Sequence, residues 1–171
     1  MGGKPKGLLR APGGEPILER WRRIFGRLGL EHVLVGAHHA YASFGVALDD
    51  HPGAEGPLAG LLALLEHARG SVVIAVACDM PYVSERLVAR LVAAPPAAIV
   101  APRRNGRWEP FFARYDAARV LPGARARAAQ GKMALQGLLD SGETNELVLD
   151  PGESDQLHDW DTPEDVARSY D

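Results

Sequence analysis

Residues 72–78 read VVIAVAC, an apolar run with no polar residue to mark a wet face. It opens on β-branched residues, is too short for a helix, and is bounded by Gly70 and Pro81. Such a run predicts a strand buried on both sides, as in a parallel sheet covered by helices. The run stops at Asp79. Pro81 biases Met80 toward an extended conformation, so the chain leaves the strand without coiling over the carboxylate. An aspartate in that place is either a turn or cap residue or a group aimed at a ligand. The second reading has a physical basis, because open α/β sheets bind ligands beyond the carboxyl ends of their strands.

The flanking sequence alternates in the same way. Over residues 15–30 the apolar side chains of Ile17, Leu18, Trp21, Ile24, Phe25 and Leu28 recur at helical spacing, with arginines mostly on the other side. HVLVG (32–36) and VALDD (46–50) read as short strands, and PLAGLLALLEHA (57–68) as a helix. Ser84 is placed to cap a helix over ERLVARLVAA, and AAIVAP and EPFFARYD read as further strands. Residues 117–142 predict one or two helices interrupted at Pro122, Gly123 and Gly131, followed by a late strand in ELVLD (146–150). TPEDVARSY predicts a closing helix with Thr162 as its cap. The pattern is that of one α/β domain over residues 1–171 with a mostly parallel sheet.

Composition narrows the function. At 171 residues with 46% hydrophobic content the chain can bury a real core, and its net charge of -3 argues against a protein that coats nucleic acid. Cys78 is the single cysteine, which fits a reducing compartment. MGGKPKGLLRAPGGEP lacks the apolar block of a secretory signal, and no stretch approaches the ~18 apolar residues of a membrane span. A cytoplasmic protein without membrane or nucleic-acid partners is expected.

Asp79 is not alone. Asp50 follows another predicted strand, and Asp159 and Asp161 precede the last helix. Carboxylates gathered at one sheet edge repel one another unless a cation lies between them. Magnesium held by one or two carboxylates and completed by substrate phosphates is a common arrangement. Acids scattered on loops are the alternative. Three segments suit phosphate: GGKPKG (2–7) with its lysines, EGPLAG (55–60) opening a helix, and the arginines of RRNGRWEPFFARY. Each reads equally as solvated surface charge when taken singly.

The order MGGKPKGLL, GPLAG, CDMP, EPFFARY and DTPEDV resembles the molybdenum cofactor guanylyltransferases and their nucleotidyltransferase relatives, over nearly the whole chain. The resemblance implies a Rossmann-like three-layer sandwich of the nucleotide-diphospho-sugar-transferase type. It implies an enzyme that transfers GMP from GTP to molybdopterin and releases pyrophosphate, with magnesium as cofactor. Transient contact with proteins of molybdenum cofactor biosynthesis is also implied. By motif, Lys6 and Asp79 are the catalytic pair, with Asp79 and Asp161 as metal ligands. Gly2, Gly3, Lys6, Gly36, Asp50 and Asp79 fall in the nucleotide site, with Gly56, Pro57, Leu58 and Gly60 from the GPLAG turn. Asp49 is the neighbour that rivals Asp50. Arg103, Arg107 and Glu109 are candidates for the pterin side.

Four departures matter. Relatives place a strand and an L-A-G-G loop ahead of MGG, and the strand is central in a Rossmann-like order. The expectation is therefore that Met1 is an internal methionine of a longer natural protein. The sheet of these 171 residues would then carry unpaired backbone groups and an open apolar slot. GAHH, with Gly36 and His38, stands where relatives often have asparagines. D-W-D replaces N-x-N before the last helix, as in cytidylyltransferases and sugar-nucleotide enzymes. Pro5 replaces an acid before Lys6. Transfer from CTP, transfer to a sugar phosphate, and a non-catalytic nucleotide-binding relative are the other readings.

Overall fold

The computed structural model describes residues 5–36, 39–141 and 143–160. A 3-10 turn at Lys6–Leu8 leads to α1 (Ile17–Arg27), whose Ile17, Leu18, Trp21 and Ile24 are buried. Two short strands follow, β1 (Val33–Val35) and β2 (Val46–Leu48), joined through a 3-10 turn at His39–Tyr41. Then come α2 (Pro57–His67), β3 (Val72–Val76) and α3 (Glu85–Ala93). Ser84 caps α3 as its sequence position foretold, accepting from the Leu87 amide at 3.2 Å.

The chain continues through β4 (Ile99–Ala101), the small hairpin β5 (Arg103–Arg104) and β6 (Arg107–Trp108), and β7 (Phe112–Asp116). It closes with α4 (Ala117–Ala129), α5 (Leu135–Ser141), β8 (Thr144–Glu146) and the single turn α6 (Glu153–Gln156). Pro122 does not interrupt α4. It is exposed, and so is Ala118, whose carbonyl it leaves without an intrahelical donor, so that carbonyl lies at the water-facing surface of the helix. Val120 and Ala124 hold the helix to the core on either side of it. The late strand lies at Thr144–Glu146 rather than over ELVLD. Pairing with β4 starts at Thr144 and ends where Leu147 donates to the Ala101 carbonyl. The predicted last helix, with Thr162 and Pro163, lies outside the described residues.

The largest sheet has the order β3-β7-β4-β8. It is mixed rather than mostly parallel: β7 pairs antiparallel with both β3 and β4, while β4 and β8 are parallel. The reason is chain length. Only residues 102–111 separate β4 from β7, and a parallel return needs a crossover of about a dozen residues or more. Because β7 reverses between them, β3 and β4 still run in the same direction.

Side-chain alternation divides this sheet between two cores. Ile99, Ala113 and Tyr115 pack with Leu58, Leu61, Leu62 and Leu65 of α2 and with residues of α4 and α5. Val100 and Phe112 point to the other side, against Ile17, Trp21 and Ile24 of α1 and Leu87, Val88 and Leu91 of α3. Helices therefore cover both faces.

β3 departs from the sequence expectation in burial. Only Ala75 is buried along it, and Val72 is 59% exposed. The cause is a free edge: β3 ends its sheet, pairing with β7 on one side, and β1 and β2 form a separate parallel pair. Between β3 and β1 lies a cavity of about 1200 Å³, lined by every residue of both strands.

Candidate active site

The carboxyl ends of the first strands meet around Asp79. Gly7 packs so closely on α1 that a β-carbon there would lie 2.7 Å from Leu18 Cγ. The Gly7 amide donates to the Tyr41 hydroxyl at 3.0 Å, tying this turn to the loop after β1. Lys6 is thereby carried over the end of β3, where its Nζ donates to Asp79 Oδ2 at 2.8 Å. Both side chains keep a path to solvent, with 29% of Lys6 and 17% of Asp79 exposed.

Asp79 is also held through its backbone, since its carbonyl accepts from the Trp160 amide at 3.0 Å. Trp160 is fully buried, and its indole nitrogen donates to the Tyr82 hydroxyl at 3.2 Å with the two rings edge to face. Beside it, Asp159 lies 3.6 Å from the Arg104 guanidinium, which donates to Glu109 at 2.7 Å. Cys78 precedes Asp79 and shares a hydrogen bond with Tyr41. Burial pushes the Cys78 thiol above its ordinary range, and the Asp79 charge adds to the effect.

The facing wall comes from the ends of β1 and β2 and from the start of α2. Gly36 ends β1 with φ 86°, its amide on the Leu48 carbonyl at 3.1 Å. Gly56 stands before α2 at φ 58° and ψ -144°, a conformation reserved in practice for glycine. Pro57 takes the first helical position, where no donor is lost. Gly60 packs tightly: a β-carbon would sit 3.2 Å from Val35 Cγ1 and 3.4 Å from Asp50 Oδ1, so both side chains would have to shift. That close packing sets Asp50 against the helix start. Gly36, Asp50, Gly56, Pro57, Gly60 and Asp79 all line the one cavity.

Against this geometry stand the comparisons with known proteins. The MobA-like NTP transferase domain matches residues 1–144. A molybdenum cofactor guanylyltransferase of Pseudomonas putida is 36% identical over 96% of this chain and 87% of its own length. Its namesake in Ralstonia nicotianae is 36% identical over 69% of this chain and 65% of its own. The chain belongs to the MobA-like NTP transferase family. Solved structures share the mixed α/β fold of this family. Molybdopterin-guanine dinucleotide biosynthesis protein A from Archaeoglobus fulgidus superposes with a TM-score of 0.74 at 19% identity, covering 98% of this chain and 89% of that one. The 2-C-methyl-D-erythritol 4-phosphate cytidylyltransferase of Thermus thermophilus gives 0.67 at 19%, covering 96% and 92%.

Within this MobA-like domain the residues named from sequence separate into groups. Lys6, Asp79, Gly36, Asp50, Gly56, Pro57 and Gly60 share one site, and Asp49 does not line it. Leu58 is only 1% exposed, its side chain in the core, so only its main chain is left for a ligand. Arg103, Arg107 and Glu109 sit on or beside the β5–β6 hairpin. Arg103 stacks over Trp108 at 3.9 Å, Arg107 is exposed, and Glu109 is engaged by Arg104. Gly2, Gly3, His38 and Asp161 lie outside the described residues. His51 accepts from the Gly53 amide and faces Glu66 at 3.4 Å, a structural role on α2. Sequence reasoning missed Tyr41 and Trp160, and it named Asp159 and the arginines of RRNGRWEPFFARY without pairing Arg104 with Asp159. Trp160 carried a signal as the apolar centre of D-W-D.

Proposed function

We propose that this chain transfers GMP from GTP to molybdopterin and releases pyrophosphate. The observation that carries this reading is the Lys6–Asp79 ion pair at the carboxyl end of β3, opposite the glycine turn of α2. A lysine and a carboxylate 2.8 Å apart neutralise each other, and both are partly exposed. A nucleotide with its cation would replace that contact by two complementary ones, Lys6 on phosphate oxygens and Asp79 on the cation. The names of the relatives, molybdenum cofactor guanylyltransferases at 36% identity, support guanylyl transfer to the molybdenum cofactor. The accompanying reading of the fold is one Rossmann-like domain over residues 1–171, supported by helices on both faces of the sheet.

The donor set suits magnesium. Among the described residues no three metal-binding side chains come together, so an all-protein cage is not what Asp79 offers. Magnesium commonly takes one or two carboxylates and fills its remaining positions with phosphate oxygens and water. Asp79 would hold it, with Asp161 as the second carboxylate. When bound, magnesium supplies charge neutralisation on the departing pyrophosphate. Lys6 fixes the phosphate chain by a point charge. In the first turn of α2 Pro57 has no N–H and the Ala59 amide donates to the Gly56 carbonyl at 3.0 Å, so the Leu58 amide is the donor presented to the nucleotide, with Asp50 as an acceptor beside it. The nucleophile, a phosphate, is already ionised, so this mechanism uses no general base. His51 stays committed to Gly53 and Glu66.

D-W-D favours one second reading, transfer from CTP. Titration calorimetry with GTP and with CTP, each with magnesium, followed by transfer assays on molybdopterin, separates the two. Tight GTP binding and GMP transfer are expected. CTP binding alone would move the assignment to cytidylyl transfer, and binding of neither would defeat both.

A further inference from the structure

Three separate parts of the chain meet at the Tyr41 hydroxyl. Tyr41 ends the 3-10 turn in the loop after β1 and is half-buried. Its oxygen accepts from the Gly7 amide at 3.0 Å. In the Lys6–Leu8 turn the Leu8 and Leu9 amides go to the Pro5 and Lys6 carbonyls, each at 3.0 Å, whereas the amide of buried Gly7 reaches across to Tyr41. A hydroxyl that accepts in this way still has a proton of its own to donate. That proton serves the hydrogen bond shared with Cys78.

Both residues held by Tyr41 are chain neighbours of the ion pair. Gly7 follows Lys6, and Cys78 precedes Asp79. Lys6 lies in a single 3-10 turn and Asp79 in the turn beyond β3, so neither is fixed by a sheet ladder or an α-helix. Tyr41 belongs to the side of the site built on β1 and β2, which pair apart from the sheet that holds β3. One oxygen atom therefore ties the wall of Gly36 and Asp50 to the wall where Lys6 Nζ and Asp79 Oδ2 lie 2.8 Å apart.

We propose that Tyr41 is a positioning residue for the transfer reaction above, on which the proposal rests for its rates: its hydroxyl sets the spacing of Lys6 and Asp79, so that the lysine meets the phosphate chain while the carboxylate meets the cation. Tyr41 acts through Gly7 and Cys78 and needs no contact with the nucleotide. A loosened turn still lets Lys6 find the triphosphate, but reaction depends on alignment, and a misplacement of about 1 Å can cost 10²-fold in rate. Loss of the hydroxyl therefore acts on kcat more than on nucleotide affinity.

Tyr41→Phe removes the oxygen and keeps the ring. In the full chain without ligand, exchange of the Gly7 amide is followed by NMR, and acetylation of Lys6 by a succinimidyl ester is followed by mass spectrometry. Exchange about tenfold faster and a clear rise in the acetylation rate are expected. With GTP, magnesium and molybdopterin, kcat should fall about 10- to 100-fold while the calorimetric Kd for GTP stays within about threefold of the parent. Because an orphaned Gly7 amide also loosens the fold, Cys78→Ser and Cys78→Ala supply a second comparison. Serine keeps an acceptor for the Tyr41 proton and alanine does not, so the serine variant should keep about threefold more kcat than the alanine variant. The double variant Tyr41→Phe/Cys78→Ala should be no slower than Tyr41→Phe alone. Losses that multiply would mean that the two side chains act independently, and would overturn the proposal. So would unchanged Gly7 exchange or Lys6 acetylation in Tyr41→Phe, a parent-like kcat, or an affinity loss as large as the loss in kcat. Absence of transfer by the parent chain would count against the transfer reading, and the two ligand-free measurements would then decide the Tyr41 bridge by themselves.

Discussion

Lys6 and Asp79 are 73 positions apart in the chain and 2.8 Å apart in space, an ion pair just beyond the end of β3. The contact exists because Gly7 lets its turn sit on Leu18 and because Tyr41 ties that turn to the loop after β1. A charge pair with access to solvent contributes little to stability, on the order of 0–1 kcal/mol. On the proposed function, it would hold two opposite charges ready for a ligand that carries both.

Removing either charge should therefore act on catalysis more than on folding. Asp79→Asn is expected to lower GMP transfer by orders of magnitude, and Lys6→Met by about 10²–10³-fold, with melting temperatures close to the parent. Steady-state kinetics with GTP and magnesium, alongside thermal melting, check this. Near-normal transfer in Asp79→Asn would defeat the metal role.

Gly56 offers a second test, because its φ of 58° and ψ of -144° exclude a side chain on backbone grounds alone. Gly56→Ala should cost about 1–3 kcal/mol through strain or a reshaped turn. Nucleotide affinity should fall with it, since the Leu58 amide is aimed by that turn. Denaturant unfolding and calorimetry with GTP report the two effects separately.

Acid stability should depend on Glu153. Its burial opposes the charged form, yet the hydrogen bond from Arg90 and the Asp150 amide at 2.7 Å outweigh it, and the carboxyl is held below its usual value of 4.5. The unfolded chain binds the proton more readily, so this stabilisation is complete above about pH 4.5 and is lost as pH falls through the lower folded value. Glu153→Gln should reduce stability at pH 7 and flatten the fall in melting temperature between neutral and acidic pH. Melting curves across that range decide it.

Cys78 should be a slow thiol. With burial and the neighbouring Asp79 charge raising it, alkylation by iodoacetamide at pH 8 is expected to lag a free cysteine peptide. The rate should climb further with pH beyond the point where the peptide levels off. Mass spectrometry of the single modified residue gives the rates.

Secondary structure was largely legible because it depends on neighbours in sequence. The α2 helix opens at Pro57, and Ser84 caps α3, since proline geometry and side-chain capping are local events. The strand end before CDMP and the glycine turn of GPLAG were legible for a related reason, as both leave marks in the chain. Pro122 misled because its cost depends on whether the freed carbonyl meets water, which is a property of the packed surface.

What the sequence determined by itself was the alternation of strands and helices, the glycines that special turns require, and the placing of Asp79 beyond the carboxyl end of a strand, in the turn three residues after β3 ends at Val76. These follow from steric limits and hydrophobic period over a few residues. The tertiary structure alone decided that β7 runs backwards between β3 and β4, that Lys6 reaches Asp79, and that Trp160 pins Asp79 from behind. It also left β3 half exposed beside an open slot, although its own composition asks for burial on both faces. The physical reason is that strand pairing and ion pairing join residues distant in the chain, and an apolar run states only that it needs partners, not which ones it has.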